Sequence, residues 1–137
     1  MNQPHTYHLT LPSHPESIRL VDPFLKSIQE VAATSAERYH DVLLALTEAV
    51  NNAIIHGNRF EASKPVTVEV QVESRVLVAV VTDHGSGFDA DRLPDPTDPE
   101  NILREGGRGV FLIRHLAQSV EFRRTADGMA VMIKLAL

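Results

Sequence analysis

Apolar residues alternate with polar ones in several short stretches, which is the pattern of strands that bury one face. The clearest case is residues 66–72, where a valine occupies every second position. Residues 7–11 show a similar alternation and predict a short first strand. The nearly continuous apolar run 76–81 predicts a central strand, and Glu73-Ser74 is expected to form the tight turn before it.

Between the first two predicted strands, a first group of apolar positions follows the three- and four-residue spacing of a helix: Ile18, Val21, Leu25, Ile28 and Val31. Ser13-x-x-Glu16 has the pattern of a capping box for this helix. Pro23 either kinks the helix or moves its start to Asp22, because proline lacks the N–H that a helix interior needs.

A second helix is predicted from about Ala36 to His56, after another capping-box pattern, Thr34-x-x-Glu37. The apolar arc expected to face the sheet comprises Leu43, Leu46, Val50, Ala53 and Ile54. The other arc carries Glu48, Asn51, Asn52 and His56. This helix therefore presents one face to the core and one polar face to a possible site.

Asp127-Gly128, between the apolar stretches 120–122 and 131–135, predicts a hairpin near the end of the sequence. Paired strands and grouped helices together predict an α+β fold, in which a mostly antiparallel, mixed sheet carries helices on one face. The 137 residues are expected to form one domain, 1–137, with a core of its own.

Composition excludes several classes of function. There is no cysteine, so disulfides and thiolate metal sites are excluded. The formal net charge is −5 and no long basic run is present, so we expect no direct nucleic-acid binding. No apolar stretch is long enough to span a bilayer and no export signal is evident, so we expect a cytoplasmic protein without a membrane partner.

Glu48 and Asn52 stand one helical turn apart and therefore project from the same side of the second helix. An amide oxygen is a hard ligand that suits Mg²⁺, and a carboxylate one turn away can orient or deprotonate a hydroxyl. Two solvated polar positions of an amphipathic helix would give the same pattern.

Asp83 follows the central strand and is followed by Gly85 and Gly87. An ionised carboxylate only accepts hydrogen bonds, and the exocyclic amine of adenine is a suitable donor. The two glycines permit positive φ and a close approach of the backbone to a flat ring. A simple turn after a strand is the alternative interpretation.

Residues 106–109, Gly-Gly-Arg-Gly, predict a glycine-rich turn before a helix, whose free N–H groups can bind phosphate with help from Arg108. A flexible hinge before a core helix is the alternative. The preceding stretch, residues 88–105, contains three prolines and five acids before Glu105 and predicts a lid or binding loop.

Two other chemistries fit the sequence poorly. His56, Asp83 and His84 match no common zinc spacing, and His56 is expected to serve at the C-terminal end of its helix. Ser86 lacks the Gly-x-Ser-x-Gly elbow of a serine hydrolase.

With these motifs the sequence resembles the GHKL (Bergerat-fold) ATPase superfamily over nearly its whole length. Glu48-x-x-x-Asn52 matches the N box, Asp83-x-Gly85-x-Gly87 the first glycine box, and Gly107-x-Gly109 the second. The segment TEAVNNAIIHGN is most similar to the anti-sigma-factor serine/threonine kinases of that superfamily.

The resemblance implies a two-layer ATP-binding sandwich with ATP and Mg²⁺ as cofactors. It implies that Asn52 binds the metal, Glu48 acts as the catalytic base and Asp83 binds adenine. It places Gly107, Arg108, Gly109 and Val110 near the phosphates, beneath a mobile lid. Asn51 stands beside Asn52, and the metal is assigned to Asn52 because only Asn52 keeps the one-turn spacing to Glu48.

The expected function is a protein serine/threonine kinase that phosphorylates a small anti-anti-sigma (STAS-type) antagonist, sequesters a sigma factor, or does both as a homodimer. A regulatory module that binds ATP without transferring phosphate is a second hypothesis. A histidine-kinase catalytic fragment is a third, and it is disfavoured because no helix with a phosphoacceptor histidine is seen before the domain.

Overall fold

The computed structural model describes residues 5–85 and 105–137. The strands are β1 (Thr6–Leu11), β2 (Val66–Glu73), β3 (Val76–Asp83), β4 (Ser119–Arg124) and β5 (Met129–Ala136). The helices are a 3-10 helix (Pro15–Leu20), α1 (Val21–Lys26), α2 (Gln29–Ala32), α3 (Ala36–Asn52), a π-helical turn (Ala53–Gly57) and α4 (Glu105–Leu116).

The five described strands form one sheet in the order β1-β2-β3-β5-β4, and every neighbouring pair is antiparallel. Val68 pairs with Leu9 on one side and with Val81 on the other, so the alternating apolar residues align on one face of the sheet. That face packs against helices, which confirms the predicted α+β class with helices on one face.

The turn between β2 and β3 differs by one residue from the prediction. Ser74 and Arg75, not Glu73 and Ser74, form the connection, and both have positive φ, 50° and 61°. Positive φ at both central residues is typical of a type I′ hairpin turn, whose geometry matches the twist of the strands.

The first predicted helix is instead three short helices. Pro23 lies in the first turn of α1, where backbone N–H groups have no partner within the helix, so the N–H that proline lacks is not needed. The chain breaks again at Ile28, which has an extended backbone, before α2 begins. The predicted cap at Ser13 is wrong, because the side chain of His14 accepts from the N–H of Glu16 at 3.1 Å.

The cap of α3 is displaced by one residue from Thr34, because the hydroxyl of Ser35 accepts from the N–H of Arg38 at 3.1 Å. The predicted extent of this helix is nearly right when the π-helical turn is included. Leu43, placed on the buried arc, is only partly buried. Val42, Ala45 and Ala49 complete the buried face instead.

The core lies between the sheet and the helices. Its largest fully buried side chains include Leu11, Leu25, Ile28, Leu46, Ile54, Leu77, Ile113, Ile133 and Leu135. These contacts fix α3 and the ends of β3 and β5 relative to one another, which is what positions the polar residues discussed below. Among residues 5–85 and 105–137, the helices lack the length and apolar character needed to cross a bilayer.

Candidate functional site

A cavity of about 210 Å³ lies between α3 and α4. The described residues that line it are Glu48, Asn51, Asn52, Ile55, His56, Gly109 and Leu112. Most of the polar face of α3 therefore opens into a cavity with some apolar lining. That arrangement is what a ligand with both charged and flat apolar parts requires.

Gly109 contacts both Glu48 and Asn52. A Cβ atom added at Gly109 would lie 3.0 Å from Glu48 Oε2 and 3.2 Å from the amide atoms of Asn52. Because Glu48 and Asn52 are one turn apart, both side chains reach the same point on α4. The structure thus brings two of the three predicted motifs together at the first turns of α4.

Asp83 ends β3 in a buried position, with 4% of its surface exposed. Its Oδ1 accepts a hydrogen bond from the N–H of Gly85 at 3.0 Å. Asp83 is not among the described residues that line the cavity between α3 and α4. It contacts the far end of the same helical segment, because a Cβ atom on Gly57 would lie 2.3 Å from Asp83 Oδ2.

Gly57 lies nine positions after Glu48, which corresponds to roughly 13 Å along a helix axis. Glu48 and Asp83 therefore lie near opposite ends of the helical segment that runs from Glu48 to Gly57. An extended ligand lying along that segment would contact both ends.

The backbone around Asp83 is packed too closely for side chains. A Cβ atom on Gly85 would lie 1.6 Å from the carbonyl oxygen of Gly57, and one on Gly128 would lie 1.9 Å from the carbonyl oxygen of Asp83. Among the described glycines none has positive φ, so the expected use of Gly85 for positive φ is wrong. Gly85 is required by the space available and not by its dihedral angles.

Burial raises the pKa of the Asp83 carboxyl above its ordinary value of 3.8. The N–H groups of Gly85 and Met129 donate to this carboxyl, and with the nearby charge of His84 they oppose the effect of burial. The charged form is thus held by two backbone donors in a site that otherwise disfavours charge.

The contribution of Asp83 to the free energy of unfolding should fall as the pH rises. Because the folded-state pKa is raised, the folded protein binds this proton more tightly than the unfolded chain. The stabilisation is complete below the unfolded value of 3.8 and is lost as the pH rises through the folded pKa. Urea unfolding of wild type and Asp83→Asn, from about pH 3 to about pH 8, measures it. A difference between the two proteins that does not vary with pH would contradict this.

The glycine-rich turn predicted before α4 is wrong, because α4 begins at Glu105 and residues 106–109 lie inside it. Helical glycines cost about 1 kcal/mol each relative to alanine, and packing of α4 against α3 offsets that cost. Gly107 is in the first turn of α4, and the side chain of Val110 is buried at 3% exposure.

Several predicted features lie outside the described residues. They are Ser86, Gly87, the side chain of Arg108 and the predicted lid, except that Glu105, its last residue, begins α4.

His56 lies in the last turn of the helical segment, where it was predicted to act as a C-terminal cap, and it also lines the cavity. The end of this segment is closed by backbone hydrogen bonds, from Asn58 N–H to Ala53 O at 2.8 Å and from Phe60 N–H to Ile54 O at 3.0 Å. The π-helical geometry carries the chain from Asn52 toward Asp83, and such turns are frequent at functional sites.

Sequence reasoning missed Asn58, which is buried at 2% exposure and accepts a hydrogen bond from the N–H of His84 at 2.8 Å. Its position directly after Gly57 at a helix end was the available signal. No local pattern indicates that its side chain reaches Ser13, 45 residues earlier.

Comparison with known sequences identifies the family of this chain. Residues 11–135 match the histidine kinase-like ATPase domain family. A serine-protein kinase RsbW from Listeria innocua is 30% identical over 132 residues, which cover 92% of this chain and 84% of the relative. An RsbW serine-protein kinase from Halalkalibacterium halodurans is 26% identical over 140 residues, or 98% of this chain and 85% of the relative.

Solved structures show the same fold. The RsbU and RsbW domains of a Mycobacterium tuberculosis protein match 97% of this chain with a TM-score of 0.67 and 16% identity, and this chain covers 32% of that longer chain. The histidine kinase domain of a blue-light activated kinase from Erythrobacter litoralis matches 92% of this chain with a TM-score of 0.58 and 22% identity, over 61% of its own length. From its sequence match and its site geometry together, this chain belongs to the histidine kinase-like ATPase domain family.

Proposed function

We propose that this chain is an ATP-dependent protein serine/threonine kinase of the anti-sigma type. The observation that carries the proposal is the convergence of Glu48, Asn52 and Gly109 on one cavity. The curated relatives that support it are named serine-protein kinases, and this chain covers 84% of the first of them.

The donor set at this cavity fits magnesium. Among the described residues, no group of three or more His, Cys, Asp or Glu side chains is placed to hold a metal ion. Asn52, with Glu48 beside it, offers few protein oxygens, which suits an ion that keeps several waters and binds phosphates. We assign Asn52 as the ligand, and magnesium bound there would supply charge neutralisation for phosphoryl transfer.

Glu48 is proposed as the base. Its carboxylate accepts the proton of a serine or threonine hydroxyl on the partner, as the hydroxyl oxygen bonds to the γ-phosphorus and the bond to ADP breaks. The N–H groups at the start of α4 are proposed to bind the phosphates, together with Arg108. Gly107, one of the first four residues of α4, is thereby assigned to phosphate binding, and Gly109 and Val110 are proposed to lie near the phosphates without donating to them.

Asp83 is proposed to accept a hydrogen bond from the exocyclic amine of adenine, with Gly85 and Gly87 close to the ring. Replacement by asparagine puts an N–H₂ group where an acceptor is needed. We expect Asp83→Asn to weaken ATP binding by about 1 to 3 kcal/mol, as for a lost charged hydrogen bond. Calorimetric titration measures this, and unchanged affinity would contradict the assignment of Asp83 to adenine.

The proposed partners are a small STAS-type antagonist, which is phosphorylated, and a sigma factor, which is sequestered. We propose that the chain acts as a homodimer, which light scattering of the purified protein tests directly. A mass corresponding to one chain at working concentrations would refute the dimer without affecting the site.

The direct test of the kinase is label transfer from ATP to the STAS-type protein encoded nearest to this chain's gene. With magnesium present, we expect label on a serine or threonine of that protein, and none after chelation of the metal. ATP binding without transfer to any such partner would instead support a regulatory module that controls its partner by sequestration.

A further inference from the structure

The side chain of Asn58 makes four hydrogen bonds to three different segments. Its Nδ2 donates to Ser13 Oγ at 2.9 Å, to Lys64 O at 2.8 Å and to Pro65 O at 3.1 Å. Its Oδ1 accepts from the N–H of His84 at 2.8 Å. Three acceptors share two donor hydrogens, so every polar atom of this buried side chain has a partner.

Asn58 joins the two ends of the site. It follows the π-helical turn directly, and its own N–H donates to Ala53 O, so it is fixed to the helical segment that carries Glu48 and Asn52. The hydrogen bond that its side chain accepts comes from the N–H of His84, the residue between Asp83 and Gly85. The carboxamide therefore links that helical segment to the residue after Asp83.

Close packing surrounds the hydrogen bond between Asn58 and the N–H of His84. Gly57 lies against the carboxyl of Asp83, and Gly85 lies against the carbonyl of Gly57, with no room for a Cβ atom at either position. Such packing excludes some positions of the loop, while hydrogen bonds from the N–H groups of Gly85, at 3.0 Å, and Met129 orient the Asp83 carboxylate. A hydrogen bond to the N–H of the next residue fixes the orientation of the peptide between Asp83 and His84.

We propose that Asn58 is a positioning residue that sets the orientation of the Asp83 carboxylate and thereby the preference for adenine over guanine. This inference rests on the proposed function, because it takes Asp83 as the group that binds the base. Loss of the Asn58 oxygen should release the His84 N–H. The neighbouring N–H of Gly85, which donates to Asp83 Oδ1, should then shift and let the carboxylate turn away from the exocyclic amine.

Asn58→Ala is the test variant and Asn58→Asp the conservative one. Asn58→Asp keeps an oxygen for the His84 N–H but turns the donors into acceptors facing Lys64 O and Pro65 O, so it should lose stability. Ser13→Ala is the matched control, because it removes one Nδ2 partner and leaves the His84 bond intact.

The measurement is the ratio of ATP to GTP affinity, with thermal unfolding recorded for each protein. We expect Asn58→Ala to lower the ratio of ATP to GTP affinity about tenfold. Asn58→Asp and Ser13→Ala should keep that ratio within about threefold of the wild-type value. Asn58→Asp should nevertheless unfold at a lower temperature than the wild-type protein. If Asn58 served only to stabilise the fold, the ratio of ATP to GTP affinity would fall in each variant in proportion to its loss of thermal stability. An unchanged ratio in Asn58→Ala, or an equal loss in Asn58→Asp, overturns the proposal.

Amide hydrogen exchange at His84 without nucleotide provides a second measurement that needs no variant. We expect slow exchange in the wild-type protein, and exchange at the rate of a free amide would overturn the proposal even if the variants fail to fold. If the wild-type protein binds no adenine nucleotide, the proposed function fails separately. Faster His84 exchange in Asn58→Ala would then still support the positioning of this loop by Asn58, and unchanged exchange would overturn it.

Discussion

Replacement of Glu48 by glutamine is expected to lower the rate of phosphoryl transfer at least about a hundredfold, the lower range for loss of a general base. Glutamine has the same shape as glutamate but does not accept the proton of the attacking hydroxyl. Because Asn52 and the N–H groups of α4 are unchanged, ATP affinity should change by less than about threefold. Single-turnover transfer to the antagonist, with a parallel ATP titration, measures both quantities.

Glu37→Gln is the matched control, since Glu37 is an exposed glutamate in the first turn of the same helix, far from the cavity. It should transfer phosphate at the wild-type rate. Equal rates for Glu48→Gln and wild type would remove Glu48 from the reaction, whereas loss of ATP binding in Glu48→Gln would give Glu48 a binding role instead of a catalytic one.

Gly85→Ala is expected to have the largest effect on folding. The added Cβ would lie 1.6 Å from the carbonyl oxygen of Gly57. The backbone fixes the position of the Cβ, and the oxygen belongs to the backbone, so no side chain can rotate to make room. We expect a loss of about 3 kcal/mol or more in the free energy of unfolding, at the upper end for overpacking. Because the displaced segment carries Asp83, nucleotide binding should be lost as well. Urea unfolding and an ATP titration measure the two effects.

Gly109→Ala is the informative comparison. Its nearest atoms, at 3.0 Å and 3.2 Å, are the ends of the Glu48 and Asn52 side chains, which can move. Alanine is also the better helix former, so we expect stability within about 1 kcal/mol of wild type and slower phosphoryl transfer. Similar stability losses in Gly85→Ala and Gly109→Ala would show that the contact between Gly85 and Gly57 is not tighter than the contact of Gly109 with Glu48 and Asn52.

The sequence predicted the sheet well because its signal is local. Valines at every second position of 66–72 have one structural interpretation, and the register that pairs Val68 with Val81 follows from burying that face. The spacing of Glu48 and Asn52 was equally informative, since four residues make about one turn in any α-helix. Both patterns depend on neighbours within a few positions.

The errors arose where distant segments decide the structure. Ser13 has the pattern of a cap, yet its hydroxyl donates to Lys64 O and accepts from Asn58, so it is unavailable to the helix. Residues 106–109 have poor helix propensity, and only contact with α3 makes them helical. The role of Gly85 was misjudged for the same reason, because the limiting atom belongs to Gly57.

The central claim is that one adenine nucleotide is bound along the helical segment from Glu48 to Gly57. The most direct measurement is a titration of the ¹⁵N-labelled protein with ATP and magnesium, followed by amide chemical shifts. We predict saturable shifts at Asn52, Gly109, His84 and Gly85 together, with one dissociation constant. An absence of shifts at millimolar ATP, or shifts confined to residues away from α3, α4 and the end of β3, would contradict the account.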